Sequence, residues 1–139
     1  MKLLCFQVDG FRWKTFEKTV PEAPDVDIEA SVGDALVAFV HAERSDNNEE
    51  RAASVRRQTL KHLKWLANKR ELKTIVLHSF THLGGDSAEP GDAAALLDEI
   101  RERLENTGYE VHVTPFGYLN EWSIDVRGES LAKVWKEIS

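Results

Sequence analysis

Cysteine is almost missing from this chain: Cys5 is the only one, inside an apolar run. One cysteine forms neither an internal disulfide framework nor a cysteine-based zinc site, and such low usage fits a reducing, cytoplasmic compartment. Long apolar runs are missing too. Nothing approaches the roughly 20 apolar residues that span a bilayer, so no membrane partner is expected. Met1-Lys2 leads straight into strand-like sequence, with no signal-peptide pattern. Repeats and low-complexity tracts do not occur. A basic excess is also lacking: 18 Lys and Arg stand against 24 Asp and Glu, a net charge of −6, which argues against a generic nucleic-acid coat. The 139 residues, 42% hydrophobic and 30% charged, suit one globular domain, 1–139, with one core.

The positive charge that exists is concentrated. Residues 51 to 73 carry eight basic side chains and one acid, Glu71, a net +7 that leaves −13 for the remainder. Such a run is either a solvated helix face or a local phosphate-binding surface on an acidic protein, with Arg56, Arg57, Lys61 and Lys64 as the candidate contacts.

The patterning reads as a mixed sheet covered by helices, in the order β-β-β-α-β-α-β-β-α. "KLLCFQV" and "FRWKTF" flank Asp9-Gly10, a hairpin signal. The proline-rich acidic stretch 21–32 reads as a loop, and 34–43 as a central strand. Val55, Leu60, Leu63, Leu66 and Ala67 recur at helical spacing, as do Leu96, Leu97, Ile100 and Leu104 after Pro90. Strands are expected at 73–78, at 109–115 and after the turn at Gly117. Leu131, Val134, Trp135 and Ile138 fit one face of a last helix. The four tryptophans are expected in the core.

Function is signalled at "TIVLHSFTHLGGDSAEPGD", 74–92, where an apolar strand runs into His78, Ser79, Thr81 and His82 before a glycine pair. Ligands of open α/β sheets gather beyond strand ends, so a polar pocket is expected near His82. The His-x-x-x-His spacing of His78 and His82 would present two zinc ligands on a helix. Here it starts at a strand end and crosses a turn, and no third ligand is evident, so neither metal nor cofactor is expected. No nucleophile elbow or phosphate loop occurs.

Two segments, "SFTHLGGDSAEP" (79–90) and "GYEVHVTPFGYLNEWSIDVRGESLA" (108–132), resemble the N-terminal editing domain of archaeal-type threonyl-tRNA synthetase. The pattern is Phe-x-His-Leu, a helix, then Pro-Phe-Gly-Tyr and a final strand and helix. "LLCFQVDGF" and "DALVAFVHAE" fit the opening strands, so the likeness covers nearly the whole chain. It implies the α/β (α+β) fold of D-aminoacyl-tRNA deacylase and hydrolysis of L-serine wrongly attached to threonine tRNA. A synthetase pocket excludes serine poorly, because one missing methyl is worth only about 1–3 kcal/mol. A second site must therefore remove the error. The family's pocket is largely backbone-lined, and the tRNA's own 2′-hydroxyl helps activate water.

Carried over by position, His82 is the family histidine. Phe80 and Thr81 line the amino-acid pocket, Phe116, Gly117 and Tyr118 form a second wall, and Ala42 comes from the third strand. Asn120 stands where the family has lysine, and Lys133 where it has glutamate. Those two positions join His82 as the catalytic candidates, with Glu121 and Lys133 as an exchanged acid and ammonium. The partners implied are the aminoacylated 3′ end of tRNA, a synthetase catalytic chain and a second copy in a homodimer. The chain stops where the editing domain would, as an excised domain or a free-standing protein acting in trans. The competing readings are a non-catalytic tRNA-binding or assembly module and a free-standing deacylase of another aminoacyl-tRNA.

Overall fold

In the computed structural model, which describes residues 1–139, the first strand is far longer than a hairpin arm. β1 runs unbroken from Lys2–Lys18, straight through Asp9-Gly10. The hairpin expected there does not form. A register shift between Val8 and Gly10 bends the strand instead, a bulge at which the missing side chain of glycine eases the kink.

The remaining strands are β2 (Glu29–Val32), β3 (Ala35–His41), β4 (Thr74–Ser79), β5 (Glu110–Val113), β6 (Tyr118–Val126) and β7 (Lys133–Glu137). Four of them pair with β1, which is why Asp9-Gly10 cannot fold back on itself. β2 and β3 continue one register along one edge, Val32 opposite Phe11 and Ala35 opposite Val8. β6 and β7 take the other edge, Ile124 opposite Phe11 and Trp135 opposite Leu4. Arg127 ties the bend from both sides. Its Nε donates to Asp9 Oδ1 at 3.0 Å, its Nη2 to Asp34 Oδ1 at 2.9 Å, and its backbone N–H to the Gln7 carbonyl at 3.0 Å.

β3, β4 and β5 are parallel. Parallel pairing needs crossovers, supplied by helices α1 (Ala52–Asn68) and α2 (Pro90–Glu105). Both bury the stripes that their spacing predicts, Leu60, Leu63 and Leu66 on α1 and Leu96, Leu97 and Ile100 on α2. These meet Leu36 and Ala38 of β3 and Ile75 and Leu77 of β4 in a core of 22 buried residues. The alternate residues of the same strands, Val37, Phe39 and Val76, join Phe11 and Trp13 in a second cluster that holds no helix residue.

The mixed sheet with covering helices is therefore present, with three further local corrections. The last element is a short 3-10 turn, Ser130–Ala132, followed by a strand, not a helix. The stretch read as a loop contains β2. Of the tryptophans only Trp13 is core, while Trp65, Trp122 and Trp135 are 44%, 39% and 53% exposed. No helix is long and apolar enough to cross a membrane.

Candidate functional site

The three parallel strands end on one side of the sheet, and their loops enclose a cavity of about 270 Å³. The first wall is the loop after β4. Phe80 N–H donates to the Val40 carbonyl at 2.9 Å, carrying the strand pairing one step past β4, and Ala88 N–H returns to the Ala42 carbonyl at 2.9 Å. Between these anchors the loop is held from beneath by His41, which is fully buried. Its Nδ1 accepts the Leu83 N–H at 3.1 Å, and its Nε2 lies 2.7 Å from the Asp86 carbonyl and 3.0 Å from Ser87 Oγ. A ring nitrogen that accepts a backbone N–H carries no proton, so Nε2 is the donor to Asp86.

The second wall is the turn into β6. Thr114 N–H donates to the Leu77 carbonyl at 3.0 Å, and the chain then reverses at Gly117, whose φ is +83°. A Cβ on Gly117 would sit 2.9 Å from the Ala23 Cβ and 3.1 Å from the Val20 Cβ. Glycine is required there for space as well as for backbone angle. The Gly117 carbonyl accepts the N–H groups of Thr19 and Val20 at 2.7 and 3.1 Å, and the Tyr118 hydroxyl donates to the Pro24 carbonyl at 2.7 Å. The segment after β1 thus braces this wall.

His78 lies at the back, only 5% exposed. Its Nδ1 is 2.9 Å from Thr114 Oγ1, and its ring packs on Phe39 at a centroid distance of 4.9 Å, with Phe80 and Trp122 nearby. Burial pushes its pKa down from 6.5 to about 4, so the imidazole is neutral at pH 7. His82 is exposed at the mouth, its ring edge-on to Phe80 at 5.1 Å. The two histidines do not converge, and no group of three metal-binding side chains forms anywhere.

Asn120 contributes an amide. Its Nδ2 faces the carbonyls of Pro115 at 3.4 Å and Tyr118 at 3.3 Å. Two acceptors on that side fix the amide orientation, which leaves Oδ1 buried and without a partner.

The fold therefore gathers Ala42, Phe80, Thr81 and His82 on one wall. Phe116, Gly117, Tyr118 and Asn120 form the other. Lys133 is not among them: it sits exposed on β7, where its Nζ donates to the Arg127 carbonyl at 2.8 Å. Glu121 points away as well, paired with Arg12 at 3.0 Å. The α1 cations also lie outside the cavity. Arg56 is occupied by the fold, bonded to the Asp46 and Ala52 carbonyls and paired with Glu99 of α2. Arg57, Lys61 and Lys64 have no ion pair. Thr114 is a cavity residue that the sequence reading passed over, and His78 was named there as part of a polar strand end but not among the pocket residues. The polar tail of β4 was the available signal.

No carboxylate, ammonium or guanidinium lines the cavity. It offers hydroxyls, one neutral imidazole at the back, His82 at the mouth, an amide oxygen and aromatic faces. That set suits an uncharged polar group bound by hydrogen bonds.

A mixed sheet with a cavity at the ends of its parallel strands is the architecture of a ligand-binding α+β domain. Residues 1–138 match the archaea-specific editing domain of threonyl-tRNA synthetase, and the chain belongs to that family. It is similar to the threonine–tRNA ligase of Methanocaldococcus jannaschii, 25% identical over 138 residues, which are 99% of this chain and 22% of the ligase. The ligases of Methanosphaerula palustris and Methanopyrus kandleri are 29% and 28% identical over 99% and 100% of the chain. The chain spans 22% of the length of each of these relatives. Among solved structures the c-Myc DNA unwinding element binding protein shares the fold, with a TM-score of 0.65 at 13% identity over 100% of this chain and 99% of that one.

Proposed function

We propose that the cavity hydrolyses L-serine from mischarged threonine tRNA. A water molecule attacks the ester carbonyl, and free serine and the tRNA 3′-hydroxyl leave. The observation that carries this reading is the uncharged lining. A cavity without a carboxylate or ammonium has no strong base of its own, so the proton relay falls to the substrate's 2′-hydroxyl. The backbone from Phe80 to His82 faces the seryl group, and His82 orients the ribose hydroxyl or the attacking water. Lys133 has no part in the step, since its side chain is spent on Arg127. Threonine is turned away by its extra methyl.

Steady-state deacylation of Ser-tRNA(Thr), with Thr-tRNA(Thr) as control, tests the proposal. Serine release well above buffer background and little threonine release are expected. His82→Ala lowers the rate on the order of 10–100-fold with an unchanged melting temperature, as for a group that positions the ribose hydroxyl or the water. Parent-rate hydrolysis by His82→Ala would remove that role.

One observation favours a second reading. The Asn120 amide, which replaces a cation, is spent on its own turn through Nδ2. A non-catalytic tRNA-binding module would bind the tRNA and turn over no aminoacyl ester. The homodimer and the association with a synthetase catalytic chain are read by sedimentation velocity, alone and with that chain added.

A further inference from the structure

A second concavity shares no residue with the editing cavity. Gln58, Lys61, His62 and Trp65 of α1 meet Val134 and Lys136 of β7 around a groove of about 480 Å³. Its composition runs against the rest of an acidic chain. Two lysines line it, no carboxylate does, and neither lysine takes part in any ion pair. Trp65, 44% exposed, offers an indole face to solvent, with Lys69 Nζ at 5.8 Å from the ring centroid. Beside it the His62 ring stands 6.1 Å away at 34°, 8% exposed, with its Nε2 buried and without a hydrogen-bond partner. Gln58 is already committed to Ser54 Oγ and the Ser139 carbonyl.

A buried ring nitrogen without a partner is costly, and the half-exposed indole beside it leaves a flat apolar face open to a ligand. A ligand that satisfies both must present a flat π face, negative charge and a hydrogen-bonding oxygen together. A nucleotide does: base on indole, phosphates between ammonium groups, and a ribose or phosphate oxygen toward the imidazole. We propose that this groove binds an unpaired nucleotide of an RNA strand, its base stacked on Trp65 and its phosphates held by Lys61 and Lys136. An acidic peptide would use the lysines and leave the indole bare. The inference does not rest on hydrolysis in the cavity.

The test is fluorescence anisotropy with a labelled hexa-adenylate RNA carrying a 3′-phosphate, which denies the editing cavity a free 3′-hydroxyl. The hexamer binds the parent protein. Trp65→Ala weakens binding about tenfold or more, Trp65→Phe keeps most of it, and both leave the salt dependence unchanged. Lys61→Gln with Lys136→Gln flattens the slope of log K against log salt by about 1.4. Melting curves of all variants match the parent, because the changed side chains are on the surface. Absence of binding by the parent overturns the proposal. So does Trp65→Ala binding with parent affinity, or hexaglutamate displacing the RNA at equal concentration. Since the probe contains no ester, these results are independent of the Ser-tRNA(Thr) assay.

Discussion

At His78 the environment decides the charge, and the decision has a signature in pH. The folded pKa is about 4 against an ordinary 6.5, and burial is the cause. Between those values the unfolded chain takes up a proton that the folded one refuses. The stability is fully present above about 6.5 and is lost as the pH falls toward 4, by up to about 3 kcal/mol. His78→Phe, which keeps a ring among Phe39, Phe80 and Trp122, should lose most of that slope in urea denaturation curves. His62, pushed down by burial and by the charge of Lys136, retains a smaller part. Equal slopes for parent and variant would show that His78 is not the proton-linked group. The same residue marks a limit of sequence reading. Ala42, Phe80, Thr81, His82, Phe116, Gly117, Tyr118 and Asn120 were legible as one set because an ordered motif carries them. His78 and Thr114 were not, because they meet only when β4 and β5 pair, and one residue in a strand says nothing about its neighbour across the ladder. Lys133 failed for the opposite reason: its position was legible, but its strand carries it to the outer surface.

Among the elements, α1 ends in a way that can be improved. Glu71 has φ 55°, the left-handed region, while Leu72 N–H reaches back to the Ala67 carbonyl at 2.9 Å and buries its side chain. This is a Schellman-type stop with the wrong residue at the turning position. Glu71→Gly should raise stability by about 0.5–1 kcal/mol, seen as a higher denaturation midpoint with an unchanged m value. No gain would mean that the glycine's added freedom in the unfolded chain cancels the relief. The helices were read correctly because their apolar stripes are long and strongly periodic. Short elements were not. Leu131, Val134, Trp135 and Ile138 have helical spacing, yet the free edge of β1 offers Lys133–Glu137 a ladder of backbone hydrogen bonds, and pairing outweighs periodicity over so few residues. Asp9-Gly10 is misleading in the same way. It has the chemistry of a hairpin turn, but β3 and β7 compete for the edges of the strand before it, and β2 and β6 for the strand after it.

On the scale of the molecule, charge is sorted by duty. Arg56 joins the 3-10 turn Arg44–Asn47 to α1 and α2, while Arg57 and Lys64 are free to meet a phosphate. Arg56→Gln should therefore lower stability by about 1–2 kcal/mol and leave the salt dependence of tRNA binding alone. Arg57→Gln with Lys64→Gln should do the reverse, reducing the salt slope by about 2 at constant melting temperature. Filter binding across a salt series, beside thermal melts, separates the two. A slope untouched by the double variant would make the α1 run a solvated face.

The long first strand has a consequence for the making of the protein. Lys2–Phe6 pair on one edge with Lys133–Glu137, a segment made long after them. Throughout synthesis that edge stays open, with unsatisfied amides beside Leu3, Leu4 and Cys5, and an open edge of that kind recruits strands from other chains. Nascent copies crowded on one messenger are thus most vulnerable until β7 has been made, and closure of the sheet by β7 should be a slow event of milliseconds to seconds, as long-range pairing dictates.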